Sequence, residues 1–172
     1  MKVIRKQKNS ENCFACGVNN PAGPKLEFYE MEDKSLVGLV TCRSIHMSYP
    51  NTVHGGVSAA LLDETMGRAI LCFEPDTWGV TLELNVKYKK PIPFDTQLRV
   101  TGRVIENKER VFICEGEILL PDNVVAAYGR GAYFKSFTTG AQDAGVSDLK
   151  LYLHENEPTE IELPVPLPHP ER

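Results

Sequence analysis

His54-Gly55-Gly56-Val57-Ser58-Ala59-Ala60-Leu61-Leu62-Asp63-Glu64 opens the stretch that decides the fold. From position 57 to 73 the chain is rich in Ala, Leu and Met, and its apolar residues recur at helical spacing, which predicts one long helix. The Gly55-Gly56 pair lets the backbone turn tightly into that helix. Glu74-Pro75-Asp76 ends it, because Pro disfavours helical backbone at the residue before it. Working outward, residues 79–88 alternate apolar and polar side chains, the period-two mark of a half-buried strand. Before the helix, 26–31 and 36–42 read as two short strands around the charged turn Glu32-Asp33-Lys34-Ser35. After it, 98–106, 111–120 and 124–134 read as three more, joined by Asn107-Lys108-Glu109-Arg110 and Pro121-Asp122-Asn123. Two strands, one helix and four strands leave few parallel crossovers to build. The expected class is α+β, with a mostly antiparallel sheet of about six strands laying its apolar face on a single helix.

The flanks are different in character. Residues 1–24 form a polar, turn-rich lead-in that ends in Asn19-Asn20-Pro21-Ala22-Gly23-Pro24. Residues 136–172 form a C-terminal extension whose end carries Pro158, Pro164, Pro166, Pro168 and Pro170 among acidic residues, so it is expected to run extended, free or draped over the surface. That leaves 25–135 as the one folded domain, ample for a core without metal or disulfide staples. A net charge of −4 argues against a general nucleic-acid binder. No apolar run approaches the about 20 residues needed to span a bilayer, and no apolar segment follows Lys2, Arg5, Lys6 and Lys8 as a signal peptide would require. Five cysteines, an odd number, fit a reducing cytoplasm better than a disulfide scaffold.

Asp63 is the most informative residue. Its helical neighbours are Ala59, Ala60, Met66 and Gly67, none of them a counter-ion. An unpaired carboxylate at the edge of an apolar face is costly, and burial raises its pKa, as suits a general base. The competing reading is a partly exposed helix carboxylate with no role. Glu64 differs: Arg68 four residues on gives it a solvated ion pair. At the helix start, first-turn N–H groups lack intrahelical partners, and the bare Gly55 and Gly56 would let a carbonyl oxygen approach, as in an oxyanion hole. A simple strand-to-helix turn would show the same residues, and His54 could equally be a cap.

With these residues in view, His54-Gly55-Gly56-Val57-Ser58-Ala59-Ala60-Leu61-Leu62-Asp63-Glu64 resembles the signature of the PaaI-like hotdog thioesterases. Residues 80–88 followed by Lys89-Lys90-Pro91-Ile92-Pro93 resemble the next block of that family, and Cys13-Phe14-Ala15-Cys16-Gly17 with Asn20-Pro21 resembles its lead-in. The resemblance covers about residues 13–135. It implies the hotdog fold, a long helix wrapped by a curved antiparallel sheet. It also implies a homodimer, joined sheet edge to sheet edge and often doubled into a tetramer. The implied substrate is an acyl-CoA thioester, with no cofactor. By the same resemblance Asp63 is nucleophile or general base, Gly55 donates its N–H to the thioester carbonyl from the facing subunit, His54 supports that loop, and Thr81 orients water or substrate. Where many members carry Asn six residues before the His-Gly-Gly, this chain has Ser48, with Asn51 nearby. Ser48, Asn51 and Gly56 are therefore expected to contact substrate.

CoA carries phosphates, so Lys89, Lys90 and Lys135 are the cations expected to meet its nucleotide. Ala59, Leu62, Met66 and Ile70 are expected to wall the acyl pocket. Cys13-x-x-Cys16 with Cys42 and His46 could form a zinc site, although strand-like sequence separates the two pairs and no metal is expected. A redox role for Cys13 and Cys16 lacks the βαβ context in which such pairs usually occur. Two other functional classes share the fold: a non-catalytic acyl-CoA-binding module and a hotdog dehydratase.

Overall fold

The computed structural model describes residues 1–137 and 149–164. Seven strands form one antiparallel sheet: β1 (Val3–Lys6), β2 (Glu27–Met31), β3 (Leu36–Thr41), β4 (Thr77–Tyr88), β5 (Gln97–Asn107), β6 (Val111–Leu119) and β7 (Val125–Phe137). Their spatial order is β1-β2-β3-β5-β6-β7-β4. The single long helix α1 (Gly55–Arg68) lies between β3 and β4 in sequence and packs on the sheet's inner face. It starts two residues earlier than its apolar pattern suggests. Its last expected turn tightens into a 3-10 turn over Ala69–Cys72, a common way to end a helix that runs into a proline-bearing loop. This is the hotdog arrangement, with one strand more than the sequence indicated.

The extra strand is β1. Its Val-Ile-Arg-Lys sequence looks like part of the polar lead-in, yet it pairs antiparallel with β2. Arg5 grips Glu30 through Nε at 3.1 Å and Nη2 at 2.8 Å. Residues 149–164 then drape over the outer face. Val3 N–H donates to the Thr159 carbonyl, the Met1 ammonium donates to the Ile161 carbonyl, and Ile161 and Leu163 pack with Tyr29, Met31, Val37 and Leu119. Part of the extension expected beyond 136 is thus docked structure, and its remaining positions, 138–148 and 165–172, lie outside the described residues.

The inner face is the core. Leu61, Leu62 and Met66 of α1 meet Leu26, Phe28, Leu36, Leu98, Phe112 and Ile118 of the sheet, all inaccessible to solvent. Glycines on three neighbouring strands seat the helix. A Cβ on Gly102 would come within 2.8 Å of the Thr65 carbonyl, and one on Gly129 within 2.9 Å of Met66 Cε. One on Gly116, the register partner of Gly129, would reach 3.0 Å from Met66 Cγ. This close seating corrects the expected acyl wall: Leu62, Met66 and Ile70 are sealed into the chain's own core, and of that set only Ala59 keeps partial exposure. Among the described residues no helix is long and apolar enough to cross a membrane.

The two sheet edges differ. β1 is bridged by the C-terminal segment at Lys2 and Glu160. Among the described residues β4 pairs only with β7, and it carries exposed Val80 and Leu82.

Candidate active site

Helix α1 presents Ala59, Asp63 and Gly67, one residue per turn, as a half-buried stripe beside β4 and β7. Thr81 and Tyr133 are register partners on those two strands, and both reach Asp63. The Thr81 hydroxyl donates to Asp63 Oδ1 at 2.9 Å, and the Tyr133 hydroxyl lies 3.3 Å from the same oxygen. No cation pairs with Asp63 among the described residues. Burial raises the Asp63 pKa, the two hydroxyl bonds work against that rise, and neighbouring Glu64 adds to it. Burial and the Asp63 charge push the Tyr133 phenol up, so it stays a donor. The three side chains, with Glu64, Gly67, Arg68, Trp78 and Gly79, line a cavity of about 140 Å³. Trp78 and Arg68 also line a larger cavity of about 420 Å³ that reaches Leu71 and Leu151.

Tyr133 was not foreseen. Its signal was Gly131 two residues earlier, whose missing side chain leaves space for the ring: a Cβ there would sit 2.6 Å from the Tyr133 hydroxyl. The Glu64–Arg68 pair forms at 2.8 Å as its spacing predicts, but it is not a solvated pair. Arg68 is 5 % exposed and its guanidinium stacks over the rings of Phe28, at 4.6 Å, and Trp78, at 5.5 Å. It is a buried cation satisfied by aromatic faces, Glu64 and the Lys8 carbonyl.

A second cluster forms at the start of α1. His54 is the N-cap, its Nδ1 accepting from Gly56 N–H at 2.9 Å, while its carbonyl takes the N–H groups of Val57 and Ser58. The Gly55 N–H makes no hydrogen bond among the described residues. Tyr88, at the end of β4, donates to the Gly55 carbonyl at 2.8 Å. Ser48, Gly55, Tyr88, Lys89 and Lys90 line a shared cavity of about 380 Å³. The backbone N–H groups of Lys89 and Lys90 are anchored on the Ala126 carbonyl, while their ammonium groups are exposed.

Two expected site residues, and the zinc combination, fall elsewhere. Asn51 adopts a left-handed φ of 59° in an exposed turn and does not line that cavity, so its sequence position reflects turn chemistry. Lys135 is 6 % exposed and bonded to Glu74 at 2.7 Å, at the opposite end of β7 from Ala126, so within one chain it lies apart from Lys89 and Lys90. The zinc combination does not assemble. His46 is buried with Nδ1 accepting from Arg43 N–H and Nε2 against the Ala22 carbonyl, and burial pushes the Cys42 thiol up to about 11. Cys13 and Cys16 instead meet Glu64, their donor atoms within 4.8 Å of one another.

Gly55 and Asp63 are eight residues apart on one helix, about 12 Å along its axis. One chain therefore cannot bring both onto the same small group.

The helix, the sheet order and this paired set of cavities define a hotdog-fold protein. Residues 50–127 match the family model described as the thioesterase superfamily. Acyl-coenzyme A thioesterase 13 of Homo sapiens is 31 % identical over 61 residues, which are 36 % of this chain and 44 % of that protein. The chain thus spans less than half the length of the curated relatives it matches. Among solved structures, a thioesterase superfamily protein superimposes with a TM-score of 0.66 at 29 % identity, covering 72 % of this chain and 63 % of that one. A Bacillus halodurans protein solved with CoA gives a TM-score of 0.60 at 29 % identity, covering 67 % and 76 % respectively. Sequence and fold together make this chain similar to proteins of the thioesterase superfamily.

Proposed function

We propose that the protein is an acyl-CoA thioesterase of the PaaI-like type, hydrolysing a thioester to a free acid and CoA in a site shared by two subunits. The observation that carries this reading is the Asp63 carboxylate. It is half-buried, steered by the Thr81 and Tyr133 hydroxyls, and free of any cationic partner among the described residues. A carboxylate so placed costs stability and gains nothing structurally, whereas a water molecule or a thioester carbon beside its Oδ2 gives it work.

Antiparallel pairing of β4 with a second copy would set the Tyr88 end of one strand beside the Thr77 end of the other. The Gly55 turn of one subunit would then approach the Asp63 cavity of its partner, closing the 12 Å gap that a single chain leaves. In that arrangement the thioester oxygen takes the Gly55 N–H of one subunit. Asp63 of the other removes a proton from water, whose oxygen forms the new bond to the acyl carbon. Collapse expels the CoA sulfur, which takes up the proton. In the alternative covalent route Asp63 attacks the acyl carbon first and expels the CoA thiolate, and water then cleaves the resulting anhydride to the free acid and regenerated Asp63. Lys89 and Lys90, beside Gly55, are placed for CoA phosphates. The exposed acceptor chemistry of His54 is spent on capping, so its part is to hold the Gly55 turn in shape.

The test uses two variants and their mixture. Asp63→Asn should lower kcat toward an acyl-CoA panel by about 10²–10⁴-fold. Gly55→Pro removes the N–H at the first helical position, where proline is tolerated, and should cost about 10²–10³-fold. Co-refolding the two should restore activity, because each mixed dimer holds one intact site. Wild-type rates in Asp63→Asn, or a mixture no better than its parts, would overturn the proposal.

A further inference from the structure

The Cys13-Phe14-Ala15-Cys16-Gly17 segment takes no part in that hydrolysis, yet it is a tightly built turn. Gly17 N–H donates to the Cys13 carbonyl at 2.9 Å, closing one helical turn. The Ser10 hydroxyl caps its start, accepting from the N–H groups of Asn12 and Cys13. The Lys25 ammonium caps its end on the carbonyls of Gly17, Val18 and Asn20. A Cβ on Gly17 would lie 2.3 Å from the Cys13 carbonyl oxygen, so the turn closes only with glycine there. Helical geometry sets the Cα atoms of residues three apart at about 5 Å, inside the roughly 4.4–6.8 Å window that a disulfide spans.

The two thiols sit in different surroundings. Cys13 is half-buried, whereas Cys16 is inaccessible. Arg68 Nη2 donates to Cys16 Sγ at 3.3 Å, and Glu64 Oε1 lies 3.5 Å from the same sulfur. A hydrogen bond from the Cys16 thiol holds Cys13 down at about 7, against the upward push of burial and of the Glu64 charge. The same bond, with burial, pushes Cys16 up. A lowered, reachable thiol next to a buried one with a fixed cation is the division of labour that thiol–disulfide exchange requires. The Arg68 guanidinium against Cys16 also repels a second cation, which favours exchange over metal capture at this cluster.

We propose that Cys13 and Cys16 form a thiol–disulfide exchange site that reacts with low-molecular-weight disulfides. Cys13 is the attacking thiolate. It bonds to one sulfur of the reagent, breaks the reagent's S–S bond and releases one thiolate. Cys16 then gives its proton to Glu64, its sulfur attacks Cys13 Sγ, and the second thiolate leaves. Two protein thiols are oxidised to one disulfide, and one small disulfide is reduced to two thiols. Closing the bond removes the single Cys16 S–H, which Cys13 and Glu64 share as acceptors. Glu64 and Arg68 both line the Asp63 cavity, so the thiol state alters the edge of that cavity.

The full-length protein is equilibrated over a series of reduced and oxidised glutathione ratios and digested without reduction. The expected product is a Cys13–Cys16 disulfide. Cys16→Ser should instead accumulate one glutathione on Cys13, and Cys13→Ser should form no disulfide. On the folded wild type, brief alkylation at rising pH should modify Cys13 before Cys16, Cys72 and Cys114, with half its maximal rate near pH 7; this arm needs no variant to fold. Glutathione trapped on another cysteine, first alkylation elsewhere, or one zinc ion held tightly by unreactive thiols would each overturn the assignment.

Discussion

The two edges of the sheet carry opposite solutions to the same problem. An unpaired edge strand offers free N–H and C=O groups to any other strand and is normally blunted. β1 is blunted thoroughly: it has four residues, carries Arg5 and Lys6, and is covered by the segment that brings Ile161 and Leu163 onto the outer face. β4 has twelve residues and exposes Val80 and Leu82, and no covering segment lies on it among the described residues. The chain spends sixteen described residues after 148 and its own amino terminus on closing one edge and leaves the other, the edge beside Asp63, available. The difference teaches that covering is selective: one edge is protected within the chain, and the other is left open for the assembly proposed above.

Charging the bare edge should have the largest effect. Leu82→Lys, 59 % exposed in the single chain, is expected to dissociate the proposed dimer in sedimentation and to lower hydrolysis by about 10²–10⁴-fold, as much as loss of the general base itself, since in the proposed arrangement each site needs both subunits. The matching insult to the covered edge should behave otherwise. Ile161→Asp buries a charge in the outer cluster and is expected to cost about 2–4 kcal/mol in chemical denaturation, with the oligomer and kcat unchanged in the folded fraction. If Ile161→Asp dissociated the assembly, the two edges would not have separate roles.

A smaller effect distinguishes the site beside β4. Thr81 donates to Asp63 and so holds its carboxyl pKa down against burial. Thr81→Ala removes that donor, the carboxyl climbs further, and activity, which needs the ionised form, should begin to fall at a higher pH in kcat/KM profiles. The stability sign runs opposite to that of a salt-bridged acid. A folded pKa above the unfolded one means Asp63 supports the fold only while protonated, and that support is lost as pH rises through the folded value. Thr81→Ala should deepen that loss slightly at neutral pH. Smallest of all, replacing Lys89 and Lys90 together by Ala should raise KM for the CoA ester several-fold and leave kcat nearly unchanged, because exposed cations contribute to binding and little else.

Much of this was written locally. The α1 pattern, the alternation through 79–88 and the absence of a helical counter-ion for Asp63 each need only neighbouring positions to be read, and the structure sets Asp63 and Thr81 in contact. What could not be read depends on distant partners. β1 has an ordinary basic sequence, and only its pairing with β2, supported by Glu30 and the distant carbonyl of Thr159, makes it a strand. Tyr133 looks like any inward-facing strand residue until its register with Thr81 is known. Lys135 looks like a free strand-end cation, and Glu74, which neutralises it, stands 61 positions away. The spacing of Glu64 and Arg68 gives their ion pair, but the burial of Arg68 depends on Phe28 and Trp78, one from each side of the helix in sequence.

The glycine row under Met66 has a consequence for selectivity. Gly102, Gly116 and Gly129 let the helix rest directly on the strands around Thr65 and Met66, leaving no room for a guest between the two layers at those positions. In the reaction proposed above, an acyl chain would lie outside the protomer's own interior, along the flank of α1. Preference for tail length can then drift through a few changes at that flank while folding stays intact, so lineages sharing this scaffold are free to diverge in what they accept without redesigning what holds them together.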